Sequence, residues 1–132
     1  MTTSLNNSMP CGELTIQTLA MPMNTNANGD IFGGWLVSQM DLAAGIVAKK
    51  IAHGRAATVA INSMSFLSPV HVGDLVSCYV SLTAQGSTSM TFSVEVWREI
   101  LATGEKHRVT QGSFVFVAID DKGHSRSVLK RA

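Results

Sequence analysis

Charged side chains are scarce in this sequence: Asp, Glu, Lys and Arg make up 14% of it, against about 25% in an average soluble domain. With 45% apolar residues and a mean hydropathy of +0.21, that scarcity excludes a disordered chain, which needs the opposite balance. Ten basic and nine acidic residues leave a net charge of +1. No basic run forms, so the electrostatic footprint of a nucleic-acid binder is missing. Two Trp, one Tyr and five Phe supply no base-stacking platform. The two cysteines, Cys11 and Cys78, form no Cys-x-x-Cys or Cys/His pattern, and a small secreted scaffold would carry more of them. Two reduced thiols in a cytoplasmic protein are expected. No apolar run approaches the ~18 residues of a membrane span. MTTSLNNSMP has neither the basic nor the long apolar region of a signal peptide. So little charge at positive hydropathy also implies surface not meant for water, hence an oligomer.

What is present fits one domain, since 132 residues lie within the usual range of about 100–150. Residues 1–11 are polar and expected to fray as a flexible N-terminus. ELTIQTLAM (13–21) alternates like a strand, and PMNTNANGD (22–30) is a loop by composition. From Gly34 to His53 the chain is rich in Leu, Met, Ala and Gln without Pro, and ends in Lys49, Lys50, His53 and Gly54, the signals of a helix C-terminus. Four strand-like segments follow at hairpin spacings, over 56–70, 74–84, 87–100 and 107–120. The expected class is α+β, with one long helix laid on an antiparallel sheet and a four-strand meander after it.

The helix is apolar all round, which predicts burial on most sides by the sheet and a partner subunit. Gly45 and the alanines before it would admit a close backbone. Asp41 sits in its middle with Ser38, Val37, Ala44 and Gly45 as neighbours, so no cation on the helix can pair with it. Burying an unpaired carboxylate costs several kcal/mol. Two readings stand: a general base or nucleophile with a tuned pKa, or a carboxylate capping a neighbouring loop. Glu95 and Glu13 read as edge or surface charges.

The loop from Asn26 to Gly34 runs directly into the helix. Gly33 and Gly34 leave the first helical N–H groups open to a developing oxyanion, or serve only a tight turn. No Gly-Lys-Ser/Thr or GxGxxG is present, which excludes a phosphate loop. Asn26 and Asn28 orient a substrate, or are turn residues. Ser63, Ser65 and Ser113 lie in strand patterns without G-x-S-x-G. His53, His71, His107 and His124 have no metal-ligand spacing. Lys49, Lys50, Arg55, Arg126, Lys130 and Arg131 could meet an anionic ligand or form a solvated face. Met64, Phe66, Met90 and Phe92 read as core.

LAMPMNTNANGDIFGGWLVSQMDLAAGIVAKKIAHGR, followed by MSFLSPVHVGD, resembles the YciA-type acyl-CoA thioester hydrolases of the hotdog superfamily, over essentially 13–128. The resemblance implies the hotdog fold, a helix wrapped by a curved antiparallel sheet of five to six strands. It implies dimers with a continuous sheet, assembled into a hexamer as a trimer of dimers. It also implies that Asp41 activates water or attacks the thioester carbonyl, that Asn26 from the opposite subunit positions the reacting groups, and that Gly33 and Gly34 form the oxyanion hole. The CoA arm would follow Met64, Ser65, Phe66 and Leu67 and pass near Gly86, Ser87, Thr88 and Ser89, its phosphates meeting Arg55 or Arg126. Ala43-Ala44 replaces the Gly-Gly common in relatives, an expected change in the acyl pocket. The C-terminus is short against the family pattern, which would alter the adenine end.

The implied reaction releases CoA and a carboxylic acid. A CoA-ester-binding module without turnover and a hotdog acyl dehydratase are the alternatives. The dehydratase wants a histidine near the helix start, and residues 22–34 contain none. No cofactor or metal is implied, CoA being part of the substrate. EDTA should therefore leave thioester hydrolysis unchanged in a thiol-release assay, and activity lost to EDTA but restored by zinc would overturn the metal-free scheme.

Overall fold

The structure is a computed structural model that describes residues 9–128. Strand β1 (Glu13–Leu19) is followed by a 3₁₀ turn (Pro22–Asn24), helix α1 (Gly33–Ala52), then β2 (Ala56–Phe66), β3 (Leu75–Gln85), β4 (Ser89–Ile100) and β5 (Glu105–Ala118). The helix begins at Phe32, whose extended backbone serves as N-cap with no capping side chain. It ends at His53 in the left-handed region, where two lysines in the last turn face the negative end of the helix.

All five strands form one antiparallel sheet in the order β1-β3-β4-β5-β2. This corrects the four-strand meander expected after the helix. Only β3, β4 and β5 run as consecutive neighbours; β2 pairs with β5, from Ala56 opposite Ala118 to Phe66 opposite Thr110. The free edge of β3 is taken by β1, so β2 closes the far side. Alternation identifies a strand but not its partner.

One face of the sheet carries Met90, Phe92, Val94, Val96, Phe114 and Phe116 onto the helix, which presents Leu36, Met40, Ala43, Ala44, Ala48 and Ala52, all buried. Phe92 and Phe116 meet edge to face, with centroids 6.0 Å apart, a favoured aromatic geometry. Gly112 gives up its side chain where a Cβ would lie 2.8 Å from the Met64 terminal methyl, so Met64 turns inward. Ala43 and Ala44 lie wholly in this core, not beside either cavity described below, so their methyl groups fill the helix–sheet contact rather than a ligand pocket. Gly45 meets the Phe116 ring of its own sheet, at 3.6 Å from a built Cβ. The helix is thus not buried all round by its own chain, since Leu42 remains 57% exposed and Ile46 40%.

One polar group reverses its surface expectation. Glu95 is 6% exposed. Its carboxylate accepts the Trp97 indole N–H at 2.9 Å and the Cys11 backbone N–H at 3.2 Å, with Arg108 at 3.8 Å. The expected fraying therefore stops short of Cys11, while residues 1–8 lie outside the described residues. Glu95 could be buried because it is paired, as buried carboxylates must be. Glu13 is exposed as expected.

Truncating Phe92 to alanine should lower unfolding free energy by about 3–5 kcal/mol, through lost burial and a residual cavity. Urea denaturation of F92A against wild type checks this, and a loss below about 1 kcal/mol would contradict so central a place in the core.

Candidate active site

Asn26 closes its own loop. Its side-chain oxygen accepts the backbone N–H groups of Asn28 at 2.9 Å and Asp30 at 3.2 Å, and its N–H donates to the Asp30 carbonyl at 2.7 Å. The turn reading of Asn26 is therefore correct for its oxygen, and the side-chain NH₂ is the end left to meet a substrate. The left-handed backbone in this loop is at Gly29. Gly33 and Gly34 are helical instead, so a tight turn does not explain them. Two aromatic rings lie beside the helix start. A Cβ at Gly33 would stand 3.4 Å from the Phe66 ring, and one at Gly34 3.3 Å from the Phe32 ring. A cavity of about 430 Å³ opens here, lined by Asn26, Asp30, Gly33, Leu36, Phe66 and Val70 among others.

Asp41 lies two turns further along. It is half-buried rather than buried, and it accepts the Thr58 hydroxyl at 2.6 Å from strand β2, so its partner is a side chain and not a loop backbone. It lines a second cavity of about 190 Å³ with Leu42, Gly45, Ile46, Lys49, Thr58 and Phe116. The two cavities share no lining residue. Eight residues of helix separate Gly33 from Asp41, about 12 Å of rise at 1.5 Å per residue. Within one chain, Asn26 with the open helix N-terminus and Asp41 with Thr58 are two half-sites facing different spaces.

The other expected contacts divide between the ends of the sheet. Ser65 and Phe66 stand at the Gly33 end, and Met64 is packed inward. Gly86, Ser87 and Thr88 form the β3–β4 turn at the opposite end, where Thr88 accepts the Ala118 N–H and Ser87 the Val128 N–H. Arg55 and Arg126 share that end with guanidinium groups engaged by backbone. Arg55 donates to the carbonyls of Asp120 and Asp121, and Arg126 to those of Ile119 and Ala52, the last residue of α1. Lys49 and Lys50 are exposed at the helix end, and Lys130 and Arg131 lie outside the described residues. Among the described residues no three His, Cys, Asp or Glu side chains gather as a metal site, and no helix is long and apolar enough to cross a membrane.

Sequence reasoning missed Thr58. A threonine in a strand is ordinary by propensity, and only the packing of β2 along α1 brings it to the carboxylate.

Compared with known proteins, residues 28–104 match the family model of the thioesterase superfamily. The acyl-CoA thioester hydrolase YciA of Salmonella typhimurium is 50% identical over 127 residues, covering 94% of this chain and 95% of that protein. The hexameric thioesterase of Yersinia pestis superimposes with a TM-score of 0.88 at 49% identity, covering 92% of this chain and 100% of that one. At greater distance, the acyl-CoA hydrolase of Staphylococcus aureus, solved with coenzyme A as an asparagine-to-alanine variant, gives a TM-score of 0.80 at 26% identity. It covers 85% of this chain and 67% of that one.

Of the two thiols, Cys78 is fully buried and its pKa is pushed up to about 12 by burial, whereas Cys11 is exposed. Because the thiolate is the reactive form, Cys78 stays protonated and inert near pH 8. A chromogenic thiol reagent should titrate one thiol per native chain and the second only in denaturant. Two fast thiols in the native protein would contradict this.

Proposed function

The chain belongs to the YciA-type acyl-CoA thioester hydrolases of the thioesterase superfamily, and we propose that it hydrolyses acyl-CoA thioesters at a composite site, with Asp41 of one subunit facing Asn26, Gly33 and Gly34 of another. The single observation that carries this is the division of Asp41 from Asn26 and Gly33 between two cavities of one chain that share no lining residue. A site that needs both sets must be assembled from two copies. The alanine variants solved for the Staphylococcus aureus acyl-CoA hydrolase are at an asparagine and at an aspartate fifteen residues later, the spacing of Asn26 and Asp41, which supports the same pairing of roles.

In this scheme the helix N-terminus receives the thioester carbonyl. The Gly33 and Gly34 N–H groups, open to it and backed by the positive end of α1, stabilise the tetrahedral oxyanion; one such donor is worth roughly 3–4 kcal/mol. The Asn26 NH₂ orients the reacting oxygen. Thr58 holds one carboxylate oxygen of Asp41 and leaves the other to take a proton from the attacking water. Collapse of the intermediate breaks the carbon–sulfur bond, and the proton passes to the departing CoA sulfur. Only protein groups and water take part, so no cofactor is invoked.

The assembly follows from the same surfaces. Strand β2 is an eleven-residue edge whose Val59 and Ile61 are exposed, as are Leu42 and Ile46 of the helix. An uncovered edge of that length is a pairing template, and a second copy meeting it strand to strand would continue the sheet. The Yersinia pestis relative is hexameric, and a hexamer built as a trimer of dimers is proposed here, in the cytoplasm.

The test is complementation. Asp41→Asn and Asn26→Ala should each lower turnover at least about a hundredfold, as loss of a positioned base does. Co-expressed, they should recover about a quarter of wild-type activity, because half of randomly formed symmetric dimers are mixed and each mixed dimer keeps one intact site. No recovery from mixed, folded oligomers would place both residues in one subunit's site and overturn the composite scheme.

A further inference from the structure

The loop that carries Asn26 is tied to the rest of the molecule on one side. The Ile31 N–H donates to the Val70 carbonyl at 3.0 Å. Beside it, His71 Nδ1 lies 3.3 Å from the Asp30 carboxylate, with side chains 54% and 41% exposed. Asp30 is also the residue whose backbone N–H and carbonyl both bond to Asn26, so a displacement of Asp30 is a displacement of Asn26. His71, for its part, is held firmly. Its backbone N–H donates to the Asp74 carboxylate at 3.0 Å, and Asp74, 6% exposed, is paired with Arg98 at 3.1 Å. The Asp74 N–H returns to the His71 carbonyl. A buried ion pair thus fixes the turn, the turn fixes the imidazole, and the imidazole holds the loop at the rim of the cavity that Asn26 and Gly33 line.

We infer that His71 is a positioning residue for thioester hydrolysis, acting through Asp30 to set the Asn26 loop, a role that rests on Asn26 serving the reaction. The charged groups facing His71 are Asp30 on the loop and Asp74 in its own turn, the latter neutralised by Arg98 of β4.

The experiment is a double-mutant cycle on kcat for one acyl-CoA at a fixed pH, with H71A, D30A and the double variant. Each single change should lower kcat about threefold, the scale an exposed pair supplies, with KM unchanged, and the double variant should be no slower than the slower single one, because both act through one contact. H71A at wild-type kcat, or effects of the two changes that simply multiply, would overturn the inference. N26A run alongside separates the two readings. An inactive N26A with no coupling between positions 71 and 30 sinks only the role of His71, whereas an active N26A sinks the premise as well.

Discussion

The approach of one helix to one sheet governs the rest of this molecule. Alanines at 43, 44, 48 and 52, with Leu36 and Met40, form the face of α1 that lies against Phe92, Phe114, Phe116 and the valines of β4. Short side chains on the helix and large ones on the sheet interdigitate without voids, as interior packing requires. Once that face is fixed, the 3.6-residue period leaves no freedom to the others. Asp41 must turn toward β2, where Thr58 meets it. Leu42 and Ile46 must turn away from the core, and Gly33 at the helix start lines the same cavity as Asn26. Site and uncovered apolar face are both by-products of one packing choice.

Much of this was legible in the residues. The helix bounds, the five strands, the turn at Gly29 and the chemical oddity of Asp41 follow from period, capping residues and the lack of a helical partner for the carboxylate. What was not legible depends on non-local pairing. The partner of β2 is decided by which sheet edges are free. Glu95 looks like a surface charge until Trp97, Arg108 and the Cys11 backbone are brought to it by register and by the chain's entry across the sheet. Ala43 and Ala44 drew attention because they replace the Gly-Gly common in relatives; one hundred degrees of rotation per residue puts both in the helix–sheet core.

The site shows the same division. The turn reading of Asn26 rests on one end of its amide: the oxygen closes the loop by accepting two backbone N–H groups, while the residue also lines the cavity at the helix start. Gly33 and Gly34 stand beside the rings of Phe66 and Phe32, a contact no spacing rule contains. Arg55 and Arg126, which composition offers to phosphates, are engaged with carbonyls at the helix and strand ends, a use that arginine's several donors permit.

The sheet order also sets a timetable. Strand β2 follows the helix directly in the chain, yet Ala56 finds its partner in Ala118, roughly sixty residues later, a long-range closure of the kind that slows folding. As the polypeptide leaves the ribosome, β2 emerges well before the strand that will hold it. The β3–β4–β5 hairpins can zip locally in the meantime. Thr58 and Asp41, seventeen residues apart in sequence, are both synthesised before β5, so the strand that completes the carboxylate's surroundings emerges without its sheet partner and ends as an edge of the sheet.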